Sequence, residues 1–493
     1  ALSYAETDAL GRRWAGALRE CGVEAGSHVA TLLHNGFAAQ ALWLGLAWLR
    51  AVEVPINTAQ KGALLHHALS ASDSRFLVTS REFLNALKDL GAPLPALEHI
   101  LLIDGEGGDS PIDAPCIDLR SALERATSEG DFEGPDYRDI AAILFTSGTT
   151  GPAKGVITPW ATVYQNWSWV PEDAVAPGEG LYCAMPMFHN SGRSALNGAL
   201  VRGARFVFRE KFSGARFWED VRRHECRAAA LVGPMTALLH SAPPRPDDAD
   251  NPLRAILCGP LIREIDAFKQ RFDLRVATGY GQTEIGMGVV TGWEHGPWTN
   301  CGRVRDEYPY TEVRVVNEHD EPLGSGEIGE LVVRSREPWA LNAGYYQLPE
   351  ATARAWRNGW FHTGDAFRFD EDGWFYLVDR MNDAIRRRGE NISSFEVESL
   401  VAAHPEVLEC AAIAVPAELG EDEVMALVIP RDPAAFDPAE LLQWLEPRMP
   451  RYMLPRYVEA VEDFPRNATT QRVKKHELRA RGVGPETWER DSS

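Results

Sequence analysis

Apolar positions along this chain switch between a helical and an extended period. Leu10, Trp14 and Leu18 recur every fourth residue within 3–18 and predict a helix. Ser3 followed by Glu6 offers that helix a capping box. After Gly22 and Gly26, the run at 28–33 predicts a strand, 36–48 a helix and 51–56 a second strand. Strand, helix and strand in that order form a βαβ unit, which calls for parallel strands in a doubly wound sheet. Runs at 74–80, 140–145, 181–187, 205–208 and 228–232 add strands, and a Trp-bearing helix is expected at 162–169. Residues 104–136 are rich in Gly, Pro, Asp and Glu and read as a surface loop. Further on, strands at 311–316, 326–334 and 375–378, with an Asp372-Gly373 hairpin turn, predict a small barrel-like subdomain. A helix over 393–403, strands at 407–415 and 423–429 and a helix at 438–445 then predict a small α+β module. The fold class is therefore α/β: a large N-terminal domain of doubly wound sheets with a small β-barrel-like subdomain, then a small α+β C-terminal domain.

Length and charge narrow the class of protein. At 493 residues the chain exceeds one ordinary core, so two or three domains are expected. The formal net charge of −21 argues against nucleic acid or an anionic membrane as a partner, since both reward a basic surface. The seven cysteines form no CxxC pair, which suggests reduced thiols in a cytoplasmic protein. The most apolar run, 37–49, is interrupted by Gln40 and followed by Arg50, so it reads as a buried helix and not a membrane span. No signal peptide is visible.

The chemistry is concentrated in two stretches. Positions 146–155 hold three glycines, four hydroxyl residues and Lys154 directly after an apolar strand. Thr146, Ser147, Gly148, Thr149, Thr150 and Gly151 can aim backbone N–H groups and hydroxyls at an anion, and Lys154 adds a mobile positive charge. This is a phosphate cradle, although the Walker pattern cannot be laid over it. Positions 278–284 read Thr-Gly-Tyr-Gly-Gln-Thr-Glu. Here Tyr280 can stack on a base, Thr283 can donate to a phosphate, and Glu284 can hold Mg²⁺ as a hard oxygen ligand. The competing reading of this stretch is a turn entering a helix.

The 146–155 stretch closely resembles the signature of the AMP-forming adenylating superfamily, which includes acyl-CoA synthetases, luciferases and peptide-synthetase adenylation domains. Ala153 stands where that pattern has Pro. Tyr4-Ala5-Glu6 and Val54-Pro55-Ile56-Asn57 resemble the family's opening, and Gly326 to Leu331 resembles its small barrel. The resemblance spans the chain, with at least five motifs in order, and implies roles for further residues. His189, in Pro186-Met187-Phe188-His189-Asn190, falls where the family places a gate beside the acyl substrate. Gly259, in Cys258-Gly259-Pro260, and Gly281 fall beside the nucleotide, the first in a loop altered from the family's usual two glycines and Ala-Pro. Asp365 corresponds to the Asp that grips both ribose hydroxyls, and Arg380 to the Arg that contacts ribose and phosphate. Asn382 takes the hinge position, so a large domain of 1–381 and a mobile small domain of 382–493 are implied. Arg386, Arg387, Arg388 and Gly389 are candidates for CoA phosphates, and this Arg-rich form looks like the carnitine-CoA ligase-like branch.

The family's last motif carries a Lys that steadies the acid and the α-phosphate. Counting from Pro465 puts Gln471 there, and counting back from Lys475 puts Arg472 there. Losing a transition-state donor of this kind costs about 10²–10³ in rate. Lys474 and Lys475 read as solvated charges at a helix start.

The implied function is an ATP-dependent ligase that adenylates a carboxylic acid, releases pyrophosphate and transfers the acyl group to CoA, using Mg²⁺. Its partners are then the acid, ATP and CoA, with no nucleic acid or membrane, and the protein is a monomer or homodimer. Two alternatives stand beside this. One is a ligase with a non-thiol acceptor or an unusual acid, such as a diazotase passing nitrite to an aryl amine. The other is a non-catalytic nucleotide-binding homologue.

Overall fold

The structure is a computed structural model. It describes residues 1–490 apart from positions 89, 91, 106–109, 147–152, 295, 307, 309–310, 381–384, 388–389, 393, 417–421, 450, 452 and 467–472. For residues 379, 380, 386, 390, 391 and 396 only the backbone is described. The chain divides into two compact units. The first comprises Ala1–Thr146, Ala153–Val313 and Val333–Phe361, and the second Arg314–Val332 and His362–Ser493.

The first unit is built on two sheets. The opening helix, Tyr4–Glu20, starts where Ser3 and Glu6 cap each other reciprocally, as the sequence predicts. Strands His28–Leu32 and Val52–Pro55 pair in parallel around the apolar helix Phe37–Leu49, completing the βαβ unit. The sheet orders its strands Cys116–Asp118, His99–Leu102, Phe76–Thr79, His28–Leu32, Val52–Pro55, Ile140–Phe145 and Gly155–Pro159. The pairings are parallel except for the last, an antiparallel hairpin. Alternate residues serve opposite faces: Val29, Val78 and Leu101 pack with the first two helices, while Ala30, Leu77 and Ile100 enter a second core with Leu65. Both faces are covered, as a doubly wound sheet requires. The second sheet is wholly parallel, in the order Arg275–Ala277, Ala255–Gly259, Cys226–Val232, Gly180–Cys183, Arg205–Phe208.

Two expectations need correction. The segment expected to be a surface loop holds strand Cys116–Asp118 and helix Leu119–Arg125. The Asp118 carboxylate accepts the Ser121 amide at 3.1 Å, and Leu119 is fully buried, so a good cap and two apolar anchors outweigh the polar composition. The strand expected over 181–187 ends at Cys183. Beyond it, Gly192 lies close under the chain: an added Cβ there would meet the Pro186 carbonyl oxygen at 2.3 Å.

An ion pair that periodicity cannot reveal lies inside this unit. Glu53 and Arg193 are both 3% exposed and bonded to each other. Thr31 Oγ1 donates to the other Glu53 oxygen at 2.7 Å, and the Arg193 guanidinium lies 4.6 Å from the centre of a Trp43 ring. The Trp43 indole in turn donates to Asn197 at 3.2 Å. The first sheet is thereby tied to helix Asn190–Arg202, the helix that begins at His189.

The second unit contains a sheet ordered Val407–Pro416, Asp422–Pro430, Tyr457–Ala460, Trp488–Glu489. Helices Ser394–Ala402 and Pro438–Leu445 cover it through Val397, Val401, Leu441 and Leu445. Among the described residues, no helix is long and apolar enough to cross a membrane.

Removing one partner of the buried pair strands the other charge, which costs about 3–5 kcal/mol. Arg193→Met alone and Glu53→Leu alone should each lower the urea midpoint markedly, and the double replacement should cost less than either. Additive losses would contradict this account of the pair.

Candidate active site

The stretch read as a candidate phosphate cradle joins the two strands of the hairpin at the edge of the first sheet. Phe145 stands opposite Gly155, and Lys154 O accepts the Thr146 amide at 3.0 Å, so the two ends of the loop are joined. Ser147, Gly148, Thr149, Thr150 and Gly151 lie outside the described residues. The returning strand is held by a segment the sequence reading passed over, residues 342–346. Val156 bridges Tyr345, the Ile157 amide donates to Gly344 O at 3.0 Å, and the Tyr346 amide donates to Gly155 O at 2.8 Å.

The Tyr280–Glu284 stretch does not enter a helix. Gly279–Gln282 and Gly286–Val290 form an antiparallel hairpin, with Thr283, Glu284 and Ile285 in its turn. Glycine is needed because the strands lie so close: a Cβ on Gly281 would sit 2.1 Å from the Gly286 carbonyl oxygen, and one on Gly279 2.6 Å from that of Val289. Tyr280 and Glu284 are each 9% exposed, while Gly281 is exposed. Gly259 is brought beside this hairpin; its Cβ position lies 3.5 Å from Gly279 O and 3.6 Å from the Thr278 hydroxyl.

The two motifs meet at Tyr345. Lys154 Nζ lies 4.4 Å from the centre of its ring, and its hydroxyl donates to Glu284 Oε1 at 3.0 Å. Burial first, and Glu284 second, hold the Tyr345 hydroxyl far above the ordinary phenol range, so it stays a protonated donor. Backbone placement follows the same segment: Glu284 O accepts both the Asn342 amide, at 3.0 Å, and its carboxamide, at 2.8 Å. The signal that could have found these residues is the Asn342-Ala-Gly-Tyr-Tyr346 run, although its partners lie far away in the chain.

His189 stands at the start of helix Asn190–Arg202 and is half-buried against Phe188. Burial lowers its imidazole below the usual range, which keeps it neutral. Beside it, Asn190 Oδ1 accepts from Asn166 Nδ2 at 2.9 Å, and Ser194 donates to Asn166 O at 2.8 Å. Asn166 Oδ1 in turn lies 2.2 Å from the Cβ position of Gly286, so the neighbourhood of His189 and the Glu284 hairpin adjoin.

In the second unit, Asp365 lies within strand Trp360–Phe369, is 5% exposed, and pairs in backbone register with Arg380 on the neighbouring antiparallel strand. Arg387 is 4% exposed and turned into its own domain, where it pairs with Glu423 at 2.6 Å and donates to Leu454 O at 3.1 Å. The candidate cluster for CoA phosphates is thus reduced by one; the Arg386 side chain, Arg388 and Gly389 lie outside the described residues, as do the Arg380 side chain, Asn382, Gln471 and Arg472. Lys474 pairs with Glu477 at 2.7 Å. Lys475 is not a solvated charge: it pairs with Glu398 at 2.7 Å and bonds Ser394.

Residues 1–346 match the family model described as AMP-binding enzyme, and residues 396–471 that of the AMP-binding enzyme C-terminal domain. The crotonobetaine/carnitine–CoA ligase of Salmonella paratyphi A is 32% identical over 491 residues, spanning 96% of this chain and 92% of that protein. The ATP-bound MatB of Rhodopseudomonas palustris matches the fold with a TM-score of 0.84 at 25% identity, covering 97% of this chain and 93% of that one. The O-succinylbenzoate coenzyme A synthetase MenE of Bacillus subtilis, in complex with AMP, matches with a TM-score of 0.83 at 25% identity over the same shares.

The lowered His189 imidazole gives stability a pH dependence of definite sign. Below the ordinary pKa of about 6.5 the unfolded chain takes up a proton that the folded chain resists, so stability falls as pH falls, and the loss levels off below the folded value. Between about pH 7.5 and about pH 5.5 the wild type should therefore lose more thermal stability than His189→Asn. Equal losses would show that His189 does not carry the effect.

Proposed function

This chain belongs to the AMP-binding enzyme family, and from that premise we propose how its residues divide the chemistry. It is an ATP-dependent, AMP-forming acid–thiol ligase that adenylates a carboxylic acid, releases pyrophosphate and passes the acyl group to CoA. The observation that carries the residue assignment is the convergence of Lys154 and Glu284 on Tyr345.

Mg²⁺ suits this arrangement. Among the described residues no group of three or more His, Cys, Asp or Glu could hold a metal by itself. Mg²⁺ is usually bound by one or two carboxylates together with substrate phosphates, which is what Glu284, next to the Thr283 hydroxyl, can offer. When bound, the ion neutralises charge building on the phosphates. Lys154 and the donors of 146–151 cradle those phosphates. Tyr280 stacks on adenine with Gly259 and Gly281 leaving it room, Thr283 donates to the α-phosphate, and Asp365 with Arg380 takes the ribose hydroxyls. The acid oxygen attacks the α-phosphorus in line and pyrophosphate leaves, with the developing charge met by groups already in place.

The attacking acid needs a cation to steady it. We assign that role to Arg472, since Gln471 carries no charge. For the second half-reaction, 382–493 turns about Asn382 relative to 1–381, and Arg386 and Arg388, with Gly389, take the CoA phosphates. Neutral His189 gates the thiol's approach. Around it Asn166, Asn190 and Ser194 are polar and uncharged, which favours a small acid bearing a polar group, in keeping with relatives named for carnitine and crotonobetaine. The cysteines are all free, in keeping with a cytoplasmic enzyme; a monomer or homodimer is our reading of its assembly. Amine, nitrite and non-catalytic readings gain no support from these relatives.

Pyrophosphate release from Mg·ATP, assayed across a panel of small polar, aliphatic and aromatic acids with and without CoA, tests this reading. Release should be strongest with small polar acids, and acyl-CoA should form when CoA is present. Arg472→Ala should slow the adenylation half by about 10²–10³, with Gln471→Ala within a few-fold of wild type. ATP binding without pyrophosphate release from any acid would contradict the proposal.

A further inference from the structure

We propose that Tyr345 is a positioning residue that couples the two charged groups meeting Mg·ATP: its ring face holds Lys154 and its hydroxyl sets the Glu284 carboxylate. The inference rests on the reading of Lys154 as a phosphate group's partner and of Glu284 as the metal's ligand.

Tyr345 is 7% exposed and held by both its backbone and its side chain. Its amide donates to Thr352 Oγ1 at 2.9 Å, and its backbone bridges Val156 on the strand leaving the cradle. Three residues earlier, Asn342 holds the Glu284 carbonyl through two hydrogen bonds. The segment 342–346 therefore fixes the exit of the phosphate loop and the turn bearing Glu284 to one another, and the Tyr345 side chain does the same for their charged ends. A hydroxyl 3.0 Å from Glu284 Oε1 restricts rotation of the carboxylate. An ammonium 4.4 Å from a ring centre is attracted to it, yet far less strongly than to a phosphate, so Lys154 can leave the ring when nucleotide arrives. The ring is thus a resting place, and the hydroxyl a support that persists when the metal is bound.

The two functions separate in Tyr345→Phe, which keeps the ring and deletes the hydroxyl. Calorimetric titration should show Mg·ATP binding weakened by about tenfold, with ATP binding in EDTA unchanged. In Glu284→Gln the metal-dependent gain in affinity should fall, and adding Tyr345→Phe should weaken it no further, since the hydroxyl acts through that carboxylate. Thr352→Val, which loosens the Tyr345 backbone, should show a milder loss of the same metal-selective kind and serves if Tyr345→Phe folds poorly. Equal weakening with and without metal, or effects that add to Glu284→Gln, would overturn the inference and mark Tyr345 as structural. A Glu284→Gln variant with undiminished metal dependence would instead overturn the assignment of Glu284 itself.

Discussion

A carboxylate withdrawn from water dictates how this site is built. Glu284 is 9% exposed, and a buried carboxylate is tolerated only where protein groups replace its hydration. The turn carrying it is narrow because Gly279 and Gly281 let two strands approach within a distance no side chain allows. Its carbonyl is held by Asn342 and its carboxylate receives the Tyr345 hydroxyl. The constraint runs on to the strand that leaves the proposed phosphate loop, because the backbone that delivers Tyr345 is the same backbone that pairs with Gly155 to Ile157. A rigid carboxylate aimed by short-range bonds suits a metal that arrives with its phosphates and accepts little distortion.

A more deeply buried carboxylate in this unit meets the same requirement differently. Glu53 has Arg193 as a countercharge, Thr31 as a donor and Trp43 beneath the guanidinium. That cluster joins the first sheet to the helix beginning at His189, so a purely structural pair fixes where the proposed gate stands. The second unit repeats the device at Arg387 and Glu423, with Arg456 3.6 Å from the same carboxylate. An arginine that looks like a ligand group in the sequence is there a part of the domain's interior.

What could be read from the sequence is whatever depends on near neighbours. The capping box of Ser3 and Glu6, the βαβ unit and helix Pro438–Leu445 all follow from spacing within a few residues, and each is present. The cradle and the 278–284 stretch were legible as motifs because glycines and hydroxyls are concentrated there. What escaped notice depends on distance in the chain. Tyr345 meets Glu284 across 61 residues, and Arg193 meets Glu53 across 140. Helix Leu119–Arg125 was hidden because a short element anchored by Leu119 and Ala122 hardly alters the polar average around it. Lys475 resembled a solvated charge because nothing nearby in sequence hints at Glu398.

The central claim is that the acid's own oxygen attacks the α-phosphorus of ATP before the thiol arrives. Turnover with a carboxylic acid labelled with ¹⁸O in its carboxylate, followed by mass spectrometry of the nucleotide and phosphate products, tests it directly. The account predicts AMP carrying one labelled oxygen and unlabelled pyrophosphate. Label in inorganic phosphate with ADP as the nucleotide product, or AMP without label, would contradict it.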